Sequence, residues 1–350
     1  MIARRKCGHS LLELSVLGLG CWAFGGGDYW GEQDQRDVDA VVRRAVELGI
    51  TYFDTAEAYN EGRSEEALGA AMKGLPREKV IIGSKITPGN TYPETMIAHC
   101  HASLRRLALD YIDLYMVHWP IHPHAIRHFT DDQKSITNPP DVREAFATLH
   151  MLQQQGKIRF IGVSNFGITR LREINEMGVQ IVVNELPYSL LTRAIEFDVL
   201  SYCIERGIGV IGYMALMQGL LTDAYEKPED LPPMRRRTRH FNAQKNKLSR
   251  HGEAGAEEET NRALESIRTI AQETDLSIHE LAIRWTLAKE GLSCTLAGAR
   301  NLKQLEANVR AAEKPLPEEI VSKLDKATHT LMKKMGSCFD YFESKENDRT

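Results

Sequence analysis

The chain lacks a cysteine pair at redox or metal-ligand spacing. Its six cysteines, Cys7, Cys21, Cys100, Cys203, Cys294 and Cys338, are scattered over 350 residues. That pattern reads as reduced thiols and argues against a disulfide scaffold. Long apolar runs are missing too: none approaches the roughly 20 residues that a membrane helix needs. Even so, 42% of the chain is apolar, enough for one large core or two ordinary ones. Neither charge is in excess. The formal net charge is −4 with the signs interspersed, which creates no field for nucleic acid or an anionic membrane. Arg4 and Arg5 resemble a twin-arginine signal, but Glu13 and the glycines after it deny that signal an apolar core. Together these absences read as a soluble, cytoplasmic protein.

What the chain does contain is alternation. Short, near-continuously apolar runs lie at 15–20 (SVLGLG), 51–54 (TYFD), 80–85 (VIIGSK), 112–118 (IDLYMVH), 160–164 (FIGVS), 181–184 (IVVN), 210–213 (VIGY) and 294–298 (CTLAG). Parallel strands covered on both faces read this way. Amphipathic stretches fill the gaps. In DQRDVDAVVRRAVELG, Val38, Val41, Val42 and Ala45 form a stripe of helical period, with Asp34 to cap its start and Gly49 its end. Val142, Phe146, Leu149 and Leu152 repeat the pattern before Gly156. Ser64, Glu65 and Glu66 open another helix, the acids at the positive end of its dipole.

Eight such strands with helices between them predict a closed (β/α)8 barrel of the TIM type, in which side chains at the C-terminal strand ends converge on one face. No linker or shift of composition divides the chain, so residues 1–350 read as one domain. Two long insertions stand out, 119–140 after the fourth strand and 222–260 after the seventh, and loops of this length are usually functional or mobile. RRRTR in the second insertion reads either as a solvated basic loop or as part of a site.

Strand ends deliver Asp54 from the second strand with Tyr59 just beyond, Lys85 from the third, His118 from the fourth, and Ser164 and Asn165 from the fifth. A terminal lysine or histidine alone is usually solvated, but four convergent groups make a proton donor. Tyrosine ordinarily titrates near 10. An ammonium at about 4 Å, with an effective dielectric of about 20, favours the phenolate by roughly 4 kcal/mol, or up to about three pKa units, before desolvation opposes it. Asp54 would hold Lys85 charged, and His118 would orient a substrate oxygen. The set suits protonation of a carbonyl oxygen while its carbon receives a hydride, which implies a nicotinamide.

On these residues the chain resembles the aldo-keto reductases. GITYFDTAEAYNEGRSEEALG (49–69) is similar to their first signature, and Asp54, Tyr59, Lys85 and His118 match the catalytic tetrad position by position. GVSNF (162–166) resembles the segment whose serine and asparagine, here Ser164 and Asn165, hold the nicotinamide carboxamide. LAGARNLKQLEAN (296–308) resembles the adenosine-phosphate segment, with Gly298, Arg300, Gln304 and Asn308. The likeness spans about residues 4 to 310. It implies reversible reduction of an aldehyde or ketone to an alcohol, with NADP(H) bound extended across the barrel mouth, NAD(H) as the second candidate, and Tyr59 as general acid. It also implies that Tyr213 stacks on the nicotinamide and that Arg300 and Lys303 face a 2′-phosphate. The departures are Glu185 where the family usually has glutamine, Met214 and Ala215 after Tyr213, and Gln304 where many NADPH-using members carry arginine.

Trp22, Trp30 and Trp119 are the expected walls of the substrate pocket, and a sugar or cyclitol fits the polar residues of 119–140 as well as a hydrophobic aldehyde fits the apolar ones. Other readings compete less well. GLGCWA (18–23) satisfies the dinucleotide fingerprint formally, but no helix follows it directly. His118, His122, His124 and His128 would suit a zinc site, yet they lie on one loop without a supporting carboxylate constellation, so no metal is expected. A protein of the same fold that senses cofactor on behalf of a protein partner, with little turnover, is the alternative of another class.

Overall fold

The computed structural model describes residues 2–225 and 227–350, so Met1 and, within the second insertion, Glu226 lie outside the described residues. Eight parallel strands close into a barrel: β3 (Leu17–Gly20), β4 (Tyr52–Asp54), β5 (Ile81–Ile86), β6 (Ile112–Val117), β7 (Ile158–Ser164), β8 (Val183–Pro187), β9 (Gly209–Tyr213) and β10 (Leu292–Gly298), with β10 pairing back onto β3. Each coincides with an expected run. The largest shift is in β8, which runs on to Pro187 and so takes Glu185 into the strand.

The helices form for the local reasons their sequences give. Asp34 accepts from the Arg36 amide at the start of the Gln35–Glu47 helix, and Val38, Val41, Val42 and Ala45 are its buried stripe. Asp141 caps Val142–Gln154 in the same way, burying Phe146, Leu149 and Leu152. The Arg63–Ala71 helix carries Glu65 and Glu66 in its first turn. Glu65, however, is buried: it accepts from Ser84 Oγ at 2.5 Å and pairs with Arg106 at 2.7 Å.

Two features lay outside the sequence reading. A short antiparallel hairpin, β1 (Arg4–Lys6) with β2 (Glu13–Ser15), precedes the barrel. Its Cys7, Leu12 and Leu14 pack into one cluster with Tyr52, Leu114, Met116, Val183, Ile211, Cys294 and Leu296 from the barrel strands, closing the end opposite the site. Beyond the last α-helix, Glu318–Met335, the chain folds back and buries Asp340, Tyr341 and Arg349.

One interior glycine is required by a close approach. A Cβ at Gly83 would lie 2.2 Å from the Tyr52 hydroxyl, which donates to Asp54 Oδ1 at 3.3 Å. The bare backbone of β5 therefore leaves room for a tyrosine that supports Asp54 from below.

Candidate active site

The C-terminal strand ends surround a cavity of about 990 Å³. Every site residue named from the sequence lines it except Lys85, which lies fully buried behind Asp54 and Tyr59. Asp54 ends β4, Lys85 is the penultimate residue of β5, His118 follows β6, Ser164 ends β7, Tyr213 ends β9 and Gly298 ends β10. Tyr59 opens a tight turn in which Asn60 takes a positive φ of 50°, a conformation asparagine tolerates well. Asn60 Nδ2 donates to the Trp22 and Phe24 carbonyls, each at 2.8 Å, and this fixes the turn against the loop after β3.

Lys85 Nζ donates to both Asp54 oxygens at 2.7 Å, to the Thr55 carbonyl at 3.1 Å and to the Tyr59 hydroxyl oxygen at 3.2 Å. Because the lysine is the donor in that last bond, the phenol keeps its own proton for a ligand. Glu185 Oε1 lies 3.3 Å from the same ammonium, while its Oε2 is buried without a hydrogen-bond partner among the described residues. Burial opposes the lysine charge, but Asp54, Glu185 and Tyr59 outweigh it and hold Lys85 well above its ordinary range. Burial raises the Glu185 carboxyl well above the usual carboxylate range, with the neighbouring Asp54 charge adding to it.

The balance at Tyr59 reverses the sequence expectation. Burial pushes the phenol up, the Lys85 field pulls it down, and Asp54 and Glu185 push it up again, leaving it above its ordinary value. From the sequence, desolvation opposes the Lys85 field without a size attached to it, and the charge of a second carboxylate, Glu185, does not enter; in the fold the two together outweigh the ammonium. His118 is held neutral, its pKa lowered first by burial and then by Lys85. Among the described residues no hydrogen bond engages its ring, whose Nδ1 is buried. The Tyr59 and His118 rings meet edge to face at 5.5 Å.

Around this centre a chain of hydrogen bonds sets the wall. Tyr213 donates to Asn165 Oδ1 at 2.7 Å, Asn165 Nδ2 donates to the His118 carbonyl at 3.1 Å, and Ser164 donates to the Glu185 carbonyl at 3.0 Å. Trp22 stacks on Tyr59 at 5.8 Å and meets Trp30 edge-on at 5.3 Å, so both tryptophans face the cavity. On the seam between β3 and β10, Gly20 and Gly298 stand in register, leaving backbone without side chains at the mouth.

At the far end of the cavity Arg300 differs in its engagement from the expectation. Its guanidinium donates to the Trp30 carbonyl at 2.7 Å, to Gln33 Oε1 at 2.8 Å and to the Glu32 carbonyl, tying down the loop after β3. Gln304 Oε1 accepts from the Arg300 amide at 2.8 Å. Asn308 donates to the Gly298 carbonyl at 3.1 Å and bonds His279 at 2.7 Å. Lys303, exposed, has no ion-pair partner among the described residues.

The sequence reading missed several lining residues. Arg235 and Arg237 from RRRTR line the cavity, over the rings of Trp30 and Tyr29, with no carboxylate partner among the described residues. The segment is therefore not a solvated basic loop. Arg250, Phe342 and Arg349 also line it. His122 donates to the Arg349 carbonyl at 3.0 Å, and no cluster of three metal-ligating side chains occurs among the described residues.

Compared with known proteins, the chain matches the family described as Aldo/keto reductase family over residues 16–329. It is 31% identical to the NADH-specific methylglyoxal reductase of Escherichia coli (strain K12) over 352 residues, 95% of this chain and 98% of that protein. Its identity to the aldo-keto reductase YhdN of Bacillus subtilis (strain 168) is also 31%, over 85% of this chain and 84% of that one. Among solved structures, the glycerol dehydrogenase of Gluconobacter oxydans aligns with a TM-score of 0.74 at 27% identity, covering 93% of this chain and 95% of that chain. The holo form of an aldo-keto reductase from Bacillus halodurans aligns with a TM-score of 0.71, also at 27% identity, covering 93% and 96%. The chain belongs to the aldo/keto reductase family, a family of oxidoreductases.

Proposed function

We propose that the protein is a cytoplasmic, NADP(H)-dependent reductase that converts an aldehyde or ketone reversibly to the alcohol. One observation carries the reading: Lys85 donates to Asp54 and to the Tyr59 hydroxyl, while the neutral His118 ring lines the same cavity with no hydrogen-bond partner among the described residues. The residues present suit a nicotinamide dinucleotide. The unpartnered Glu185 Oε2 is an acceptor for a carboxamide NH2, Ser164 and Asn165 are its neighbours, and Tyr213 supplies a ring to stack on. Arg235 and Arg237 are the cations for the diphosphate, with Arg300, Gln304 and Asn308 at the adenosine end.

When bound, the cofactor supplies the hydride that reaches the carbonyl carbon. Tyr59 gives its hydroxyl proton to the carbonyl oxygen and regains one from solvent, so that one hydride and one proton make the alcohol. Lys85 stabilises the phenolate formed in that step, and Asp54 keeps Lys85 charged and in place. His118, neutral, donates to the carbonyl oxygen and holds it before Tyr59. Trp22, Trp30 and Trp119 wall off water. The test is NADPH oxidation with a panel of aldehydes and ketones. Tyr59→Phe, which keeps the ring and removes the proton, should lower kcat by about 10²–10⁴ with cofactor affinity retained. Retained turnover in that variant overturns the assignment; cofactor binding without turnover in the native protein favours the cofactor-sensing alternative.

A further inference from the structure

The last fifteen residues carry an arginine into the site from outside the family match, which ends at residue 329. Arg349 is 1% exposed and Asp340, its partner, 0%. Nε and Nη2 of the arginine hold the two carboxylate oxygens at 2.6 and 2.7 Å. The guanidinium lies 4.0 Å over the ring of Trp119, the residue after His118. Its third nitrogen, Nη1, is buried with no acceptor among the described residues. Arg349 lines the cavity that holds Tyr59 and His118, and its charge is among the influences that keep His118 neutral.

The surroundings offer donors and almost no acceptors. Arg250 pairs with Glu343 at 2.7 Å and donates from Nη1 to His128 Nδ1 at 2.6 Å, so the proton of that imidazole sits on Nε2. His128 lines the cavity, and His118 is the other imidazole there. Asp340 and Glu343, the acids that stand behind Arg349 and Arg250, do not line the cavity and are each held by an arginine. A sugar or cyclitol brings hydroxyls that must donate as well as accept, and this wall does little for the donors. An anion accepts only. A buried guanidinium N–H left without an acceptor is unfavourable, and a charge-assisted bond to it is among the strongest available. Trp119, under Arg349, and Phe129, beside the His118 ring, give the same cavity apolar sides, as does Phe342.

We propose that the substrate is a carbonyl compound carrying a carboxylate at the end away from the reacting carbon, received by Arg349 Nη1. The inference rests on the carbonyl-reductase reading and narrows it. The probes are 4-carboxybenzaldehyde and its methyl ester, reduced by the native protein with NADPH at low salt. The KM of the acid should be at least tenfold below that of the ester. Arg349→Lys keeps a cation beside Asp340 but loses the fork; it should raise the KM of the acid about tenfold while kcat changes little and the ester is affected far less. An ester handled as well as the acid, or a variant with an unchanged KM for the acid, overturns the inference. The comparison in the native protein decides the matter if that variant fails to fold. If neutral aldehydes turn over and the acid has no advantage, only this inference falls; if no carbonyl is reduced at all, the proposed activity falls with it.

Discussion

Five oxygens crowd the Lys85 ammonium: both of Asp54, one of Glu185, the Thr55 carbonyl and the hydroxyl of Tyr59. The presence of Glu185 makes this site unlike one built with glutamine. At a pH where Glu185 is ionised, a glutamine in its place would leave Lys85 facing a single carboxylate, and Tyr59 would feel one negative field fewer. Glu185 is among the groups that raise the Tyr59 pKa, so Glu185→Gln should lower it. Alcohol oxidation needs the phenolate and therefore speeds up as pH rises toward that pKa. The rising limb of kcat/KM for oxidation should move to lower pH in the variant; an unmoved limb would mean that Glu185 carries its proton through that range. A second prediction concerns the cofactor. With the Arg300 donors engaged by the loop after β3, discrimination for a 2′-phosphate would fall to the exposed Lys303. One exposed ion pair is worth at most about 1 kcal/mol, so NADPH should be preferred to NADH by about fivefold or less in kcat/KM. Lys303→Ala should bring the ratio near one. A larger preference that survives the variant would mean that Arg300 releases the loop and takes the phosphate.

At the scale of elements, the barrel depends on a piece that does not belong to its ring. Leu14 of β2 is fully buried among side chains from inside the barrel, at the end away from the site. Leu14→Ala should cost about 2–5 kcal/mol of stability, read as a lower urea midpoint at an unchanged slope. The kcat of the folded variant should be close to native. A cost under about 1 kcal/mol would mean that the hairpin only rests on the barrel. The hairpin also marks where sequence reading stops. The eight barrel strands announce themselves because burial on both faces leaves unbroken apolar runs, and the tetrad positions follow from where those runs end. A three-residue strand such as Arg4–Lys6, exposed and charged, has neither period nor run. The Asp340–Arg349 pair is equally silent, since nine residues apart in an irregular tail correspond to no repeat. Glu185 was visible as a residue, but its contact with Lys85 depends on the register of β8 against β7 and β9, which pattern alone does not set.

Across the whole molecule, the cavity is assembled from segments far apart in the chain. The loop after β3 meets the loop after β9 where the Tyr29 hydroxyl donates to Gln218 Oε1 at 2.5 Å, and Arg300 ties the first of these loops to the segment after β10. These loops hang on β3, β9 and β10, which are neighbours where the barrel closes. A dinucleotide in the groove would therefore touch the seam at which the last strand meets the first, and its binding energy would add to the closure of the entire barrel. Linkage sets the size of the effect. Ligand at 100 times its Kd stabilises the folded state by about 2.7 kcal/mol. With an unfolding entropy of about 2.1 cal/mol/K per residue, a chain of 350 residues should gain about 4 °C in Tm. NADPH and NADH should each give that shift at 100 times their own Kd, the weaker binder needing proportionally more. The order of the two at equal concentration should match the kinetic preference and lose its difference in Lys303→Ala. Adenosine alone, which cannot span the groove, should need far higher concentrations for the same shift. A melting curve indifferent to both dinucleotides would remove the groove as a cofactor site and leave Tyr59 a proton donor without a hydride to accompany it.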